Sequence, residues 1–333
     1  MAEKILIRMP NWLGDAIMAT PAIDIIIKER PGARLYMLAS QSVCEMFRDD
    51  DRFEEILVDI SKKHSVRLEG IREQAREINE RYEGFDLCFI LTNSTSTSFM
   101  CRLIDTKERI GAKVGLRNLF LTKAIAVEKD AHQAVKYAQI VNGYFKTEDS
   151  TGKTSIRIKE SVSFERPTVG ISPGAAYGGA KRWESHKFAE VALRLSADYD
   201  IVILGAPNET PIAQKIEEVL IFNGVKNYRN LVGKTSMAEL MAHIKALNLF
   251  ICNDSGPMHI AGALDVPTVA IFGPTNYRQT YQWGNPAYRL VRHDIECAPC
   301  MKRECPLGHH ECMKLVTAQE VLEAARGLLR EGH

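Results

Sequence analysis

No stretch of this chain approaches the ~18 consecutive apolar residues that a membrane-crossing helix needs, so nothing in it reads as a transmembrane span. An excess of charge of one sign is also missing. Lys and Arg total 43 against 42 Asp and Glu, a net charge of +1, which removes bulk electrostatics as a route to nucleic acid or to a membrane. No low-complexity tract and no short-period repeat occurs, which argues against solenoid and fibrous architectures. The start lacks the pattern of a secretory signal: the apolar run Ile5–Ile7 is broken by Arg8 and Pro10 before a long core can form. A cytosolic protein is therefore expected, and any lipid it handles would be met at the inner membrane surface. Stable disulfides are not expected in that compartment, although the chain has eight cysteines.

What is present is the composition of a globular protein long enough for two domains. The chain has 333 residues, 45% hydrophobic and 26% charged. Apolar strand-like runs alternate with amphipathic helical stretches throughout. Strands are expected near 4–9, 34–39, 55–59, 85–92 and 109–112, and again near 168–172, 200–205, 249–253, 268–273 and 289–291. Helices are expected near 15–29, 42–47, 67–82, 97–104 and 131–145, then 185–199, 210–222, 237–247, 257–264 and 318–330. Ser236-Met-Ala-Glu239 and Thr317-Ala-Gln-Glu320 are capping boxes that mark helix starts. This alternation predicts an α/β protein with parallel sheets covered by helices on both faces. The polar stretch Thr147–Lys153 is the best linker, which divides the chain into domains 1–155 and 156–333.

Two strand-to-helix turns carry polar and glycine-rich clusters. The run Asn248–Cys252 leads into Asn253-Asp254-Ser255-Gly256-Pro257-Met258-His259 and then into a helix. That is where open α/β sheets bind ligands, and a helix N-terminus suits a diphosphate; a plain Asp/Ser helix cap is the structural alternative. The strand Thr168–Ile171 leads into Ser172-Pro-Gly174-Ala-Ala176-Tyr177-Gly-Gly-Ala-Lys181-Arg182-Trp183. Glycines let backbone amides approach an anion, and the two basic side chains add charge. Neither the Walker spacing nor the dinucleotide fingerprint is present, and no Ser or Thr follows Lys181. A third turn, Asn11-Trp-Leu-Gly-Asp15-Ala-Ile-Met-Ala-Thr20-Pro21, places a carboxylate at a helix start. Asp15 there can cap the helix or serve as a general base.

These three blocks in this order resemble glycosyltransferase family 9, the ADP-heptose:lipopolysaccharide heptosyltransferases, over nearly the whole chain. The block Cys297-Ala-Pro-Cys300 through Cys312-Met-Lys further resembles the heptosyltransferase II branch. The resemblance implies a GT-B type fold, two Rossmann-like domains facing a cleft. It implies an N-terminal acceptor-binding domain carrying the base and a C-terminal domain binding the nucleotide sugar. It implies inverting transfer of L-glycero-D-manno-heptose from ADP-heptose to the lipopolysaccharide inner core, with no cofactor and no metal. Asp15 then takes the proton of the acceptor hydroxyl, and Lys181 with the amides near Ser255 and Gly256 stabilises the departing diphosphate. One displacement needs one base, unlike the carboxylate pair of a glycosidase. Donor contacts carried over are Ala176, Tyr177, Lys181, Glu209, Thr235, Asp254, Ser255, Gly256 and His259. Ala176 and Tyr177 replace a Thr-Thr pair seen in some relatives, which leaves backbone contacts to phosphate there. Glu209 falls at a position associated with the ribose, or is a first-turn helix acid; Thr235 falls near adenine. His259 either bonds phosphate or packs in its helix, and Trp183 packs behind the loop rather than stacking a base.

The expected partners are ADP-heptose, a Kdo-lipid A acceptor that already bears one heptose, and the cytoplasmic face of the inner membrane in peripheral contact; no nucleic acid is expected. No acceptor-binding residue is assigned. Lys62, Lys63, Arg67, Arg117 and Lys123 are candidates for holding the anionic core, or form a solvated face. The cysteines Cys297, Cys300, Cys305 and Cys312, with His309 and His310 among them, have spacing that can ligate zinc, although the second half of a usual zinc pattern is missing. Reduced structural cysteines, and a disulfide or redox role, are the alternatives beside it. Lys302, Arg303 and Lys314 face either an anionic acceptor or solvent. Other readings are a nucleotide-sugar epimerase of the same fold, a non-catalytic nucleotide-sugar binding protein, and a family member acting at the first or a more distal heptose.

Overall fold

The computed structural model describes residues 2–63 and 65–331. The chain divides into two compact units, Met1–Arg157 and Ile158–His333. Residues 146–166, which contain this boundary, carry neither helix nor strand.

The first unit has strands β1 (Lys4–Arg8), β2 (Arg34–Ala39), β3 (Glu55–Val58), β4 (Phe85–Ile90), β5 (Thr106–Ala112) and β6 (Lys123–Ile125). Its helices are α1 (Leu13–Met18), α2 (Thr20–Glu29), α3 (Gln41–Phe47), α4 (Arg67–Arg81), α5 (Thr95–Leu103) and α6 (Gln133–Phe145). The strands form one sheet in the order β3-β2-β1-β4-β5-β6, parallel throughout. The second unit has β7 (Thr168–Ser172), β8 (Asp200–Ile203), β9 (Tyr228–Asn230), β10 (Leu249–Asn253), β11 (Thr268–Ile271) and β12 (Tyr288–Val291). Its helices are α7 (Ser185–Leu195), α8 (Thr210–Phe222), α9 (Met237–Lys245), α10 (Gly256–Ala263), α11 (Tyr277–Thr280), α12 (Glu311–Lys314) and α13 (Ala318–Glu331). Its sheet runs β9-β8-β7-β10-β11-β12 and is again parallel.

Both sheets therefore have the doubly wound Rossmann order. The chain winds outward from a central strand, returns, and winds the other way, so right-handed crossovers put helices on both faces. The central strands are apolar on both sides for that reason: Ile5, Leu6 and Ile7 of β1 and Leu249, Phe250, Ile251 and Cys252 of β10 have no accessible surface. The direction reverses between β1 and β4 in one sheet and between β7 and β10 in the other, leaving a crevice at the carboxyl ends of those strands.

Some boundaries differ from the sequence reading. The helix expected over 15–29 is two helices that meet at Ala19. Pro21 has no N–H to give to the Ile17 carbonyl four residues back, and the Thr20 hydroxyl bonds that carbonyl instead, at 2.8 Å. The three-residue edge strands β6 and β9 are too short to show a period. Both capping boxes form: Ser236 N–H donates to Glu239 at 2.7 Å and Glu239 N–H to the Ser236 hydroxyl at 3.2 Å, with equivalent bonds of 2.8 and 3.2 Å between Thr317 and Glu320.

Candidate active site

In the second unit, β7 and β10 lie side by side in parallel, with Ser172 opposite Cys252. The two loops singled out in the sequence therefore leave the sheet at adjacent strand ends. Asn253 fastens them together. Its fully buried side-chain amide donates to the Pro173 and Gly174 carbonyls at 2.8 and 3.3 Å, and its oxygen accepts the Trp183 N–H at 3.0 Å. Trp183 is buried behind the loop, where its indole N–H donates to the Val316 carbonyl at 3.0 Å and its ring meets Phe188 edge-on at 4.8 Å.

Lys181 ends a short 3-10 turn, Gly179–Lys181. Its ammonium is 2.6 Å from Asp254 Oδ2 and 4.9 Å from the centre of the Tyr177 ring. The Thr275 hydroxyl donates to the same Asp254 oxygen at 2.5 Å. This ion pair is mostly buried, with side-chain exposures of 13% and 5%. Beside it α10 begins. Ser255 is its N-cap in backbone geometry but makes no side-chain capping bond. The plain capping reading thus does not describe this serine: its hydroxyl oxygen is buried without a hydrogen-bond partner among the described residues. Burying a hydroxyl unpaired costs about 1–3 kcal/mol. A helix N-terminus with an unsatisfied hydroxyl at its cap, beside a lysine, is an anion site in chemical terms. Gly256 follows at the first helical position, and His259 is buried one turn further along.

Glu209 lies at the end of β8's loop and is buried, accepting the Ala206 N–H at 2.9 Å. Gly174 and Gly205 both make room for it: a methyl added at Gly174 would lie 1.8 Å from the carboxyl, and one at Gly205 2.6 Å from it. Burial raises the Glu209 pKa, while the Ala206 N–H and nearby Arg182 act against that rise. Arg182 Nε is buried and unpaired among the described residues. Ala176 is exposed and Tyr177 half-buried at the tip of the glycine-rich loop. Thr235 lies in the loop after β9, which is tied to Gly205 by the Gly233 N–H at 3.0 Å.

The cysteine-bearing segment is the floor of this glycine-rich loop. The Tyr177 hydroxyl donates to the Met301 carbonyl at 2.8 Å, the Ala180 N–H donates to the Arg303 carbonyl at 3.0 Å, and His310 Nε2 lies 2.8 Å from the Ala180 carbonyl oxygen. Cys297, Cys300, Cys305, Cys312, His309 and His310 line one small cavity beneath. All eight thiols are free, and among the described residues no three His, Cys, Asp or Glu side chains are grouped to hold a metal ion. The Cys305 thiol has a lowered pKa, because backbone N–H groups led by that of His310 point at its sulfur, at 3.3 Å for His310. Lys302, Arg303 and Lys314 are exposed.

In the first unit, Asp15 is half-buried at the third position of α1, near the carboxyl end of β1. The N-cap is Trp12 rather than Asp15, so the capping role open to this carboxylate in the sequence is not the one it takes. Gln133 donates to the Tyr137 hydroxyl, which in turn hydrogen-bonds the Asp15 carboxylate; burial and then the Asp15 charge push the phenol pKa well above its usual range. The positive charge of Arg117 acts against that rise. Contrary to the expectation of a surface cation for acceptor binding, Arg117 is 1% exposed and spends its guanidinium on the Thr92 carbonyl, the Asn93 side chain at 2.9 Å and the Ile90 carbonyl at 3.4 Å. Arg67 bonds Ser61 at 2.6 Å and Lys123 pairs with Glu108 at 3.8 Å, while Lys62 and Lys63 are exposed. Arg8, fully buried at the end of β1, pairs with Asp59 at 2.7 Å and Asn11 at 2.9 Å.

Tyr137, Asn253, Thr275 and Arg8 were not assigned roles from sequence. Asn253 stands inside a recognisable block. The others meet the site only through the fold and leave no local signal.

Two Rossmann-like units, each with polar loops at the reversal point of its sheet, define the GT-B class of glycosyltransferases. The chain belongs to glycosyltransferase family 9 (heptosyltransferase), whose sequence profile matches residues 74–311. It is 32% identical to lipooligosaccharide heptosyltransferase 2 of Campylobacter jejuni, with 99% of each chain covered. It is 26% identical to lipopolysaccharide heptosyltransferase 2 of Salmonella typhimurium over 98% of this chain and 99% of the relative. The solved structure of Escherichia coli ADP-heptose lps heptosyltransferase II superposes with a TM-score of 0.84 at 24% identity, covering 98% of this chain and 99% of that one.

Proposed function

We propose that the protein transfers L-glycero-D-manno-heptose from ADP-heptose, with inversion, to the inner core of lipopolysaccharide, adding the second heptose to heptosyl-Kdo2-lipid A. Support for the second-heptose assignment comes from full-length similarity to relatives named heptosyltransferase 2 and from the Cys297–Cys312 block. The observation that carries the donor half is the unpaired Ser255 hydroxyl at the start of α10 beside Lys181, a cradle for the diphosphate of the leaving ADP.

In this reading the Asp15 carboxylate accepts the proton of the attacking acceptor hydroxyl as the new glycosidic bond forms. The bond from the anomeric carbon to the diphosphate breaks, and the charge that builds on the phosphate is met by the Lys181 ammonium, the α10 amides and the Ser255 hydroxyl. Asp254 holds Lys181 in place before the donor arrives. Glu209 and Thr235 supply contacts to the nucleoside, and the Ala176–Tyr177 backbone, Gly256 and His259 complete the phosphate surroundings. The first unit binds the acceptor and the second the donor, and the protein works in peripheral contact with the cytoplasmic face of the inner membrane. No helix is long and apolar enough to cross that membrane among the described residues.

The test is a pairwise comparison of defined acceptors with products weighed by mass spectrometry. Heptosyl-Kdo2-lipid A gains one heptose, and Kdo2-lipid A gains little or none. The reverse preference reassigns the protein to the first heptose, and transfer to neither points to a more distal sugar.

A further inference from the structure

The segment between β5 and β6 presents leucines to water. Leu116 is 74% exposed, Leu119 76% and Val114 46%. They lie on or beside a single 3-10 turn, Gly115–Phe120. Single exposed leucines are ordinary, but three large apolar side chains within six residues form a patch.

This turn is firmly built. Arg117, at its centre, points inward and is held by the carbonyls at the end of β4. The Val114 N–H donates to the Asn118 side chain at 2.9 Å. Phe120 packs edge-on against Phe99 at 5.4 Å, and the Lys113 N–H donates to the Ile125 carbonyl at 2.7 Å. With the arginine committed to the interior, the residues on either side of it are left facing outward.

Along the turn itself the charge is basic. No Asp or Glu occurs between Glu108 and Glu128, whereas Lys113 and Lys123 flank the turn and are exposed, Lys123 with Glu108 3.8 Å away. Arg102, at the end of α5, is also exposed, and α5 packs against the turn. A protein of nearly zero net charge has here a local concentration of cations around protruding leucines. Leucines enter the boundary between headgroups and acyl chains, and lysines gain from anionic lipid within a Debye length. The turn follows the carboxyl end of β5, and β5 runs parallel to β1 through β4, so the turn leaves the sheet at the same edge as the loop that leads to Asp15. The patch thus shares its edge of the first sheet with the proposed base.

We propose that the Val114–Leu119 turn, with Lys113, Lys123 and Arg102, is the surface by which this protein docks on an anionic lipid bilayer. It rests on the lipid-anchored acceptor of the reading above: a sugar a short distance from the membrane can reach Asp15 only if this edge of the unit approaches the bilayer.

The test is co-sedimentation of the whole protein with vesicles of phosphatidylcholine alone and of phosphatidylcholine with phosphatidylglycerol. The wild type binds the anionic vesicles, and binding falls as salt rises. The double variant Leu116→Ser/Leu119→Ser, in exposed positions that leave thermal stability unchanged, binds them at least about tenfold more weakly. Its turnover on a deacylated, water-soluble acceptor equals that of the wild type, while turnover on vesicle-embedded acceptor falls. Equal vesicle binding by wild type and variant overturns the proposal, as does the absence of wild-type binding. Concentration-dependent self-association that the variant abolishes assigns the patch to a second copy of the chain instead. An equal loss on the soluble acceptor moves the leucines into the sugar site. Vesicle binding is read without any transfer, so a mistaken acceptor assignment leaves this outcome intact and is detected separately by the acceptor comparison.

Discussion

At the scale of single residues, the proposed base is the carboxylate of Asp15. Asp15→Asn keeps the shape and removes the base, so kcat should fall by about 10²–10⁴-fold, with ADP-heptose affinity nearly intact by calorimetry. Near-normal turnover by a folded variant would refute the base assignment. Tyr137→Phe keeps the buried ring and removes the hydrogen bond to Asp15. The expected outcome is a kcat about ten- to a hundredfold lower, with donor KM unchanged, the size of one lost hydrogen bond to a charged group, about 1.5–3 kcal/mol. In the Asp15→Asn background the same change should have little further effect, because the two residues act as one unit. Lys181 is the counterpart in the second unit. Lys181→Ala leaves the Asp254 carboxylate with Thr275 alone, so it should both weaken ADP binding and slow transfer by an order of magnitude or more. Binding equal to wild type in a titration with ADP would remove Lys181 from the donor site.

At the scale of elements, the glycine-rich loop after β7 owes its shape to its neighbours rather than to itself. Asn253 ties its start to β10, and the carbonyls of Met301 and Arg303 with His310 hold its far end. Gly178 has no space for a side chain: a methyl there would lie 2.3 Å from the Arg303 carbonyl oxygen, which is backbone and cannot turn away. Gly178→Ala should therefore push the two segments apart, raise the donor KM about tenfold or more, and leave acceptor KM unchanged. An unaltered donor KM would show that the cysteine-bearing segment does not shape the donor loop. The thiols are part of this support, since Cys305 receives the His310 N–H while the His310 ring meets the Ala180 carbonyl. Chemical attack on that sulfur would thus be felt two residues from Tyr177's neighbour Gly178, through backbone contacts rather than through the substrate.

At the scale of the whole molecule, the proposed mechanism divides one displacement between two units of the same strand order. It assigns the base, Asp15, to the first and the diphosphate contacts, Lys181 and the α10 amides, to the second. Neutralising a leaving diphosphate with an ammonium and helix amides requires no bound cation, so transfer should continue at an unchanged rate in EDTA. Loss of activity that magnesium restores would contradict this mechanism. Zinc content is measured in the same samples, so that any metal drawn from the Cys297–Cys312 segment is accounted for.

Much of this was legible in the chain. Alternation of apolar runs and helical stretches determines a parallel α/β protein, because strands buried on both faces must be apolar throughout and their crossovers must be helical. The polar turns at Asp15, Pro173–Lys181 and Asp254–Ser255 are local in sequence, and so is the family pattern they make. The tertiary structure alone decided the rest. Only the strand order brings the ends of β7 and β10 together, so that Lys181 meets Asp254 across 73 positions of sequence. Glu209 fills space that Gly174, 35 positions earlier, leaves open, and Tyr137 reaches Asp15 from a helix more than a hundred residues away. Arg117 reads as a surface cation in sequence, yet the fold turns it inward and turns Leu116 and Leu119 outward. Periodicity reports which elements form, whereas the direction a side chain takes depends on carbonyls and cavities contributed by segments remote in the chain.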